Sequence, residues 1–244
     1  MRTLGITLLV CFTPLSMTYA QIKEQELVKD AGSVLAEVMK VPEKGIPTSL
    51  LNQAQAIMIF PDMVKAGFIV GVKHGTGVVM TRNNDGVWGL PVPLTITGGS
   101  IGGQIGVQAT DLILVFKSKR GVDNILRSKQ LTLGADVSVA AGPVGRSAEA
   151  GTDTAFRTEI LSYSRSRGLF AGVAVDGSKI KIDHSANAAF YGQPVPAIET
   201  ILNGQLLTMP TVANNLRNQM LLLAPPPAPL RSRVVLVSSP HAPS

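Results

Sequence analysis

The sequence predicts an α+β fold: a curved, mostly antiparallel sheet or partly closed β-barrel, flanked by N- and C-terminal helices. Three observations predict it. Val28, Ala31, Leu35 and Val38 recur at spacings of three and four near the start of the chain, which is helical periodicity. Residues 57 to 183 carry short apolar runs punctuated by Gly, Pro and Asn-Asp-Gly, which is strand-and-turn patterning. From Asn187 onward helical patterns return, so the end helices are placed to cover the sheet faces.

Taken in order, residues 22–41 form the first helix, with Lys23, Glu24, Lys29, Asp30 and Glu37 largely off its apolar stripe. Pro42, Gly45 and Pro47 break the pattern. Thr48 or Ser49 then caps a short helix through Leu50, Leu51, Ala54 and Ala56. Ile57–Phe60 is a short strand ended by Pro61. From Gly67 to Phe116 the chain is strands, with Asn83-Asn84-Asp85-Gly86 as a hairpin turn because these residues tolerate left-handed backbone. Residues 94–116 hold five glycines, Gly98, Gly99, Gly102, Gly103 and Gly106. They lie in no apolar segment long enough for membrane-helix packing and lack the full dinucleotide-binding pattern, which leaves close backbone packing. Asp111–Phe116 is a buried strand, Gly121–Arg127 a helical connection, and Leu131–Ala141 a half-buried strand by its alternation. Strands at 168–175 and 179–182 follow. Helices over 196–207 and 211–223 precede the Pro-rich segment 224–244, read as a flexible tail and a peptide for another protein, or a spacer.

Charged residues make up 16% of the chain and hydrophobic residues 45%, against roughly 25% charged in an average soluble domain. Residues 1–20 read as a signal peptide: Arg2 in the n-region, an apolar run from Leu4 to Phe12, and Thr18-Tyr19-Ala20 before a cut at Gln21. Removing it takes away Cys11, the single cysteine, so thiol chemistry and disulfides leave with it. The formal charge of +6 becomes about +5 without Arg2, a mild bias toward anionic partners such as lipid headgroups rather than nucleic acid. The expected organisation is a signal peptide at 1–20, one domain at 21–223 and the tail at 224–244.

Six segments in order carry a family resemblance: IFPDMVKAGFIVGVKHGTGVVMTR, DGVWGLPVPL, GGSIGGQIGVQATDLILVF, LGADVSVAAGPVGR, YSRSRGLFAGVAVDGS and NAAFYG. They span roughly residues 30–192, and the chain resembles the SYLF domain family, also called the Ysc84 or DUF500 family. The resemblance implies lipid binding, with phosphoinositides in eukaryotic members. It also implies actin binding or bundling in some members that carry separate SH3 or FYVE domains. Combined with the leader, it gives a bacterial exported member: a non-enzymatic, lipid-binding module of the cell envelope, periplasmic or secreted and peripherally membrane-associated. The alternative is a structural or protein-interaction module forming an envelope homo-oligomer. The family's N-terminal amphipathic segment is linked to membranes, which makes Val28, Ala31, Leu35 and Val38 the membrane-contact helix candidates.

The headgroup candidates are Lys65, Lys73, Lys117, Lys119, Arg120, Arg165 and Arg167, since Lys and Arg donate to phosphate oxygens beside apolar residues that meet acyl chains. Trp88 is read as a core anchor in preference to an interfacial residue. Catalysis is not expected. His74, His184 and His241 lack metal spacing, and Asp111 and Asp136 suit bonds to loop amides. Neither a nucleophile elbow nor a triad is expected. No cofactor or metal is called for.

Overall fold

The computed structural model describes residues 15–40, 45–142, 158–166, 169–171, 175–192, 196–206 and 208–227, with backbone alone at 15–18, 67–70, 100–107, 166 and 169–171. The fold is a mixed α+β arrangement in which a curved, partly closed, mostly antiparallel sheet is flanked by helices. Its frame is two very long strands, β1 (Ala56–Thr81) and β2 (Val92–Phe116), paired from Ala56↔Phe116 to Val79↔Val92.

On its other edge β2 is shared. Its first part, Leu94–Thr97, pairs with β7 (Lys179–Ile182), which in turn pairs with β3 (Leu131–Thr132). Its last part, Asp111–Phe116, pairs with β5 (Ile160–Ser166). β5 also carries β4 (Val139–Ala141), the parallel exception, and β6 (Leu169–Ala171).

The two halves of the β1–β2 ribbon fold onto each other. A Cβ built on Gly75 would lie 3.1 Å from Met63 Cγ, and one on Gly77 would meet Ile59 O and lie 2.5 Å from Phe60 Cδ1. Residues twelve to eighteen apart in one strand meet only if the strand doubles back. The crease lies between, where the register shifts at Gly67/Ile69 opposite Gly102–Gly106. The glycine-rich stretch thus lies at the bend of a folded ribbon, where glycine permits a tight change of direction.

Several boundaries differ from the sequence reading, among them the short helix expected through Ala56, which ends at Gln53 while Ala56 opens β1. Pro61 does not end β1: a register shift between Phe60 and Met63, with Asp62 at φ 48°, takes the proline at an irregularity where its missing N–H is tolerated. The alternation from Leu131 to Ala141 is not one strand, because Gly134 at φ 83° turns the chain between β3 and β4. Of the expected helix over 196–207, only Ile198–Leu202 is helical among the described residues.

The helices pack as sequence periodicity demands. α1 (Leu15–Met39) lies against β1, α4 (His184–Tyr191) and α6 (Thr211–Leu223). Between β2 and β3 runs α3 (Arg120–Ser128), and α2 (Thr48–Gln53) and α5 (Ile198–Leu202) complete the set. Val28, Ala31, Leu35 and Val38 are all buried, and a side chain such as Leu35 contributes about 2 kcal/mol by leaving water. Trp88 and Tyr163 are buried core residues, and Tyr191 Oη donates to Pro91 O at 2.5 Å.

Glu24 sits on α1 with little exposure. Burial pushes its carboxyl above the usual 4.5, Lys23 opposes this and Asp183 adds to it. The folded state therefore holds this proton more tightly than the unfolded chain does. The stabilisation is full below the ordinary carboxylate range and is lost as pH rises through the raised folded value. Glu24→Gln is expected to melt higher than the parent at neutral pH, with the gap closing in acid. Thermal scans at several pH values check this, and identical pH slopes for the two proteins would refute it.

Candidate functional site

Strand alternation decides which side chains meet at the crease. Lys65 lies two residues from Met63 and Lys73 two from Gly75, so each shares the inner face on which Met63 and Gly75 touch. Val64 and Val72 take the outer face, 41% and 64% exposed. Both lysines are half-buried. Burial lowers the proton affinity of the Lys73 ammonium, Lys65 lowers it further, and Asp176 opposes both. Two cations eight residues apart in sequence thus face one interior. No charged residue occurs from Ala66 to Val72 or from Thr97 to Thr110. The crease end therefore joins paired ammonium groups to a charge-free ribbon edge with exposed valines.

The other basic candidates fall elsewhere. Lys117, Lys119 and Arg120 lie at the far end of β2, where Gln55 N donates to Phe116 O at 2.8 Å. Lys119 Nζ donates to Asn84 Oδ1 at 3.4 Å, Arg120 pairs with Glu159 at 3.0 Å, and Lys117 is half-buried. Arg165 is internal to the fold. Its Nε donates to Asp111 Oδ2 at 2.7 Å, its Nη2 lies 2.6 Å from the same oxygen, and Nη1 pairs with Glu37 on α1. It joins β5, β2 and α1, because a planar guanidinium can serve two carboxylates at once. Arg167 lies outside the described residues.

Val28, Ala31, Leu35 and Val38 do not present a membrane face in this conformation, since they pack into the core and are at most 1% exposed. Periodicity identified the stripe but not what covers it. The apolar exposure on α1 is instead at Tyr19 and Ile22. No described helix is long and apolar enough to cross a membrane.

Sequence reasoning missed Arg82. It is 3% exposed and reaches five carbonyls: Ala54 at 2.9 Å, Gly86 at 2.7 Å, Ala224 at 3.0 Å, Pro225 at 3.2 Å and Leu51 at 3.5 Å. Its Cζ lies 4.7 Å from the Trp88 ring centroid, and Trp88 Nε1 donates to Ala224 O at 3.0 Å. A cavity of about 510 Å³ opens beside it, between Asn83, Asn84, Gln55 and Pro225–Pro227. The start of the expected tail is therefore tied down. Ala224 is buried, and the remainder from residue 228 lies outside the described residues. The signal for Arg82 was an arginine directly before a hairpin turn at the end of an apolar strand.

The spacing G-x-S-x-G does occur, contrary to expectation, at Gly98-Gly99-Ser100-Ile101-Gly102. It runs within β2, with Ser100 paired to Gly71, whereas a nucleophile elbow needs a strand-to-helix turn. Asp111 and Asp136 accept from the amides of Asp62 at 3.0 Å and Thr132 at 2.6 Å. Among the described residues no group of three or more His, Cys, Asp or Glu is placed to hold a metal.

The family described as "Ysc84: Las17-binding protein actin regulator" matches residues 97–221, half of the chain. The chain belongs to the Ysc84 family. LAS seventeen-binding protein 3 of Saccharomyces cerevisiae (strain ATCC 204508 / S288c) is 36% identical over 191 residues, covering 75% of this chain and 41% of its own length. Protein YSC84 of the same strain is 36% identical over 189 residues, covering 75% and 40%. Human SH3 domain-containing YSC84-like protein 1 is 33% identical over 178 residues, covering 71% and 52%. The Ysc84-family chain thus spans about half or less of the length of these relatives.

These relatives are yeast and mammalian, and the family is described by actin regulation. This overturns the expectation of a bacterial exported member. The envelope role, the envelope protein partner or homo-oligomer, the signal peptide and the periplasmic or secreted location are withdrawn with it. In the structure α1 runs unbroken from Leu15 to Met39, across the Ala20–Gln21 bond.

Proposed function

We propose that this Ysc84-family chain is a non-catalytic module that associates with anionic phospholipid headgroups through the crease end of its ribbon. The observation that carries the reading is the pairing of Lys65 and Lys73 on one inner face, flanked by exposed Val64 and Val72. Two ammonium groups held near one another favour an anion between them. Adjacent apolar side chains suit the boundary between headgroup and acyl chain.

Each lysine near an anionic surface contributes about 1 kcal/mol. Lys65→Gln with Lys73→Gln is thus expected to weaken binding to phosphatidylserine-containing vesicles roughly thirtyfold. Lys29→Gln, an exposed position on α1, is the control and should bind as the parent does. Co-sedimentation at two salt concentrations reads both effects, with binding falling as salt rises. Parent-like binding by the double variant, or no binding of the parent to anionic vesicles, would sink the proposal.

A second reading is supported by the family description and the printed names of relatives: a role in actin regulation with a Las17-like partner. Co-sedimentation of the chain with filamentous actin tests it independently of lipid.

A further inference from the structure

We propose that the cavity beside the Arg82–Trp88 clamp is a binding site for a small phosphate-bearing solute, at the far end of the ribbon from the crease. The clamp supplies the charge. Arg82 is 3% exposed, and each hydrogen bond it donates goes to a neutral carbonyl: those of Leu51, Ala54, Gly86, Ala224 and Pro225. Among the described residues no carboxylate pairs with it. The fold therefore buries a positive charge that it does not itself neutralise, an arrangement that favours an anion nearby. A second cation is tethered to the cavity wall, where Lys119 Nζ donates to Asn84 Oδ1 at 3.4 Å. Asp85, the acidic residue of the turn, is exposed and does not line the cavity.

The donors follow from the turn. Asn83 Oδ1 is taken by the amides of Asp85 and Val87 at 3.0 and 2.9 Å, and Asn84 Oδ1 by Lys119. These bonds fix which way each carboxamide faces. They leave Asn83 Nδ2 and Asn84 Nδ2 without an acceptor among the described residues. Asn52 of α2 adds a third carboxamide to the wall. The carbonyls of Gly86 and Pro225 already accept from Arg82, and the prolines bring no N–H. The wall is thus rich in donors and positive charge. A tetrahedral oxyanion matches it, because it carries negative charge and acceptor oxygens on every side. At about 510 Å³ the space exceeds one phosphate and leaves room for the organic group esterified to it. Prolines are the one apolar side-chain type in the lining, so an acyl chain finds no aliphatic bed there. That sets this site apart from the crease with its exposed valines.

The test titrates inorganic phosphate, and separately glycerol phosphate, into the isotope-labelled full chain at fixed ionic strength, followed by NMR. Saturable shifts of the Asn83 and Asn84 side-chain amides are expected, with a rise in Tm that grows with phosphate concentration. Asn84→Asp keeps an oxygen for Lys119 but places a carboxylate on the wall. It should weaken binding at least about tenfold, with circular dichroism unchanged. Lys119→Gln should weaken it less, since the buried Arg82 charge remains. Lys65→Gln with Lys73→Gln should bind phosphate as the parent does, so failure here and failure of the crease reading are told apart. The proposal is overturned if neither phosphate gives a saturable shift, if chloride at equal ionic strength gives the same shift, or if Asn84→Asp binds as the parent does. Phosphatidic acid vesicles form a third arm. Shifts produced by the vesicles and by neither soluble phosphate would overturn the solute and assign the phosphate group to a lipid headgroup.

Discussion

Arg82→Ala is expected to destabilise the protein by roughly 4 kcal/mol, the range reached when a charged donor serving several buried carbonyls is removed. The reason is connectivity. The guanidinium holds the end of α2 through Leu51 O and Ala54 O, the hairpin turn through Gly86 O, and the exit from α6 through Ala224 O and Pro225 O. Three segments distant in sequence converge on one side chain. Without it their carbonyls lose a partner, and Trp88 loses the cation over its ring. Trp88 Nε1 retains Ala224 O, so part of the α6 anchor survives and the effect stops short of complete unfolding. Arg82→Lys should fall between parent and alanine, because an ammonium on a flexible stem cannot reproduce a planar fork aimed at several carbonyls. Urea unfolding followed by Trp88 fluorescence and far-ultraviolet circular dichroism measures the series. A loss under about 1 kcal/mol for alanine would show that the clamp is replaceable.

The same clamp shows where sequence reading stopped. Local chemistry was legible. Asn83–Gly86 forms the expected turn, with Asn83 Oδ1 accepting from the amides of Asp85 and Val87. The helix over Thr211–Leu223 has the expected bounds. The α+β class and the curved sheet were legible too, because periodicity changes from 3.6 to 2 and back along the chain. Partnerships across distance were not. Arg165 reads as one cation in a basic turn, but its carboxylates lie on β2 and α1. Lys65 and Lys73 read as separate surface charges, because strand alternation fixes a face and says nothing of a fold within the strand. Val28, Ala31, Leu35 and Val38 show one apolar face, and an apolar face is equally suited to a core or a membrane. The packing of α1 on β1, α4 and α6 decides between them.

Gly77→Ala is expected to cost roughly 3 kcal/mol, at the upper end of overpacking effects. The added methyl would meet Ile59 O and stand 2.5 Å from Phe60 Cδ1. Neither neighbour can retreat easily, since Ile59 and Phe60 belong to the paired, wholly buried opening of β1. The natural comparison is Gly99→Ala. Gly99 lies on the same ribbon, and a Cβ there meets nothing within 4 Å. Replacing a glycine without strain reduces the freedom of the unfolded chain and can add about 0.4–1 kcal/mol. The two substitutions should therefore move stability in opposite directions although each adds one methyl group. The crease end links this pair to function: pushing Gly77 away from Phe60 parts the two ribbon halves that hold Lys65 and Lys73 together. Gly77→Ala should lose affinity for anionic vesicles at temperatures where circular dichroism still reports a folded protein, and Gly99→Ala should keep it. If Gly77→Ala weakens stability but leaves vesicle binding intact, the ribbon is folded as described and the lysine pair is not what the headgroups meet.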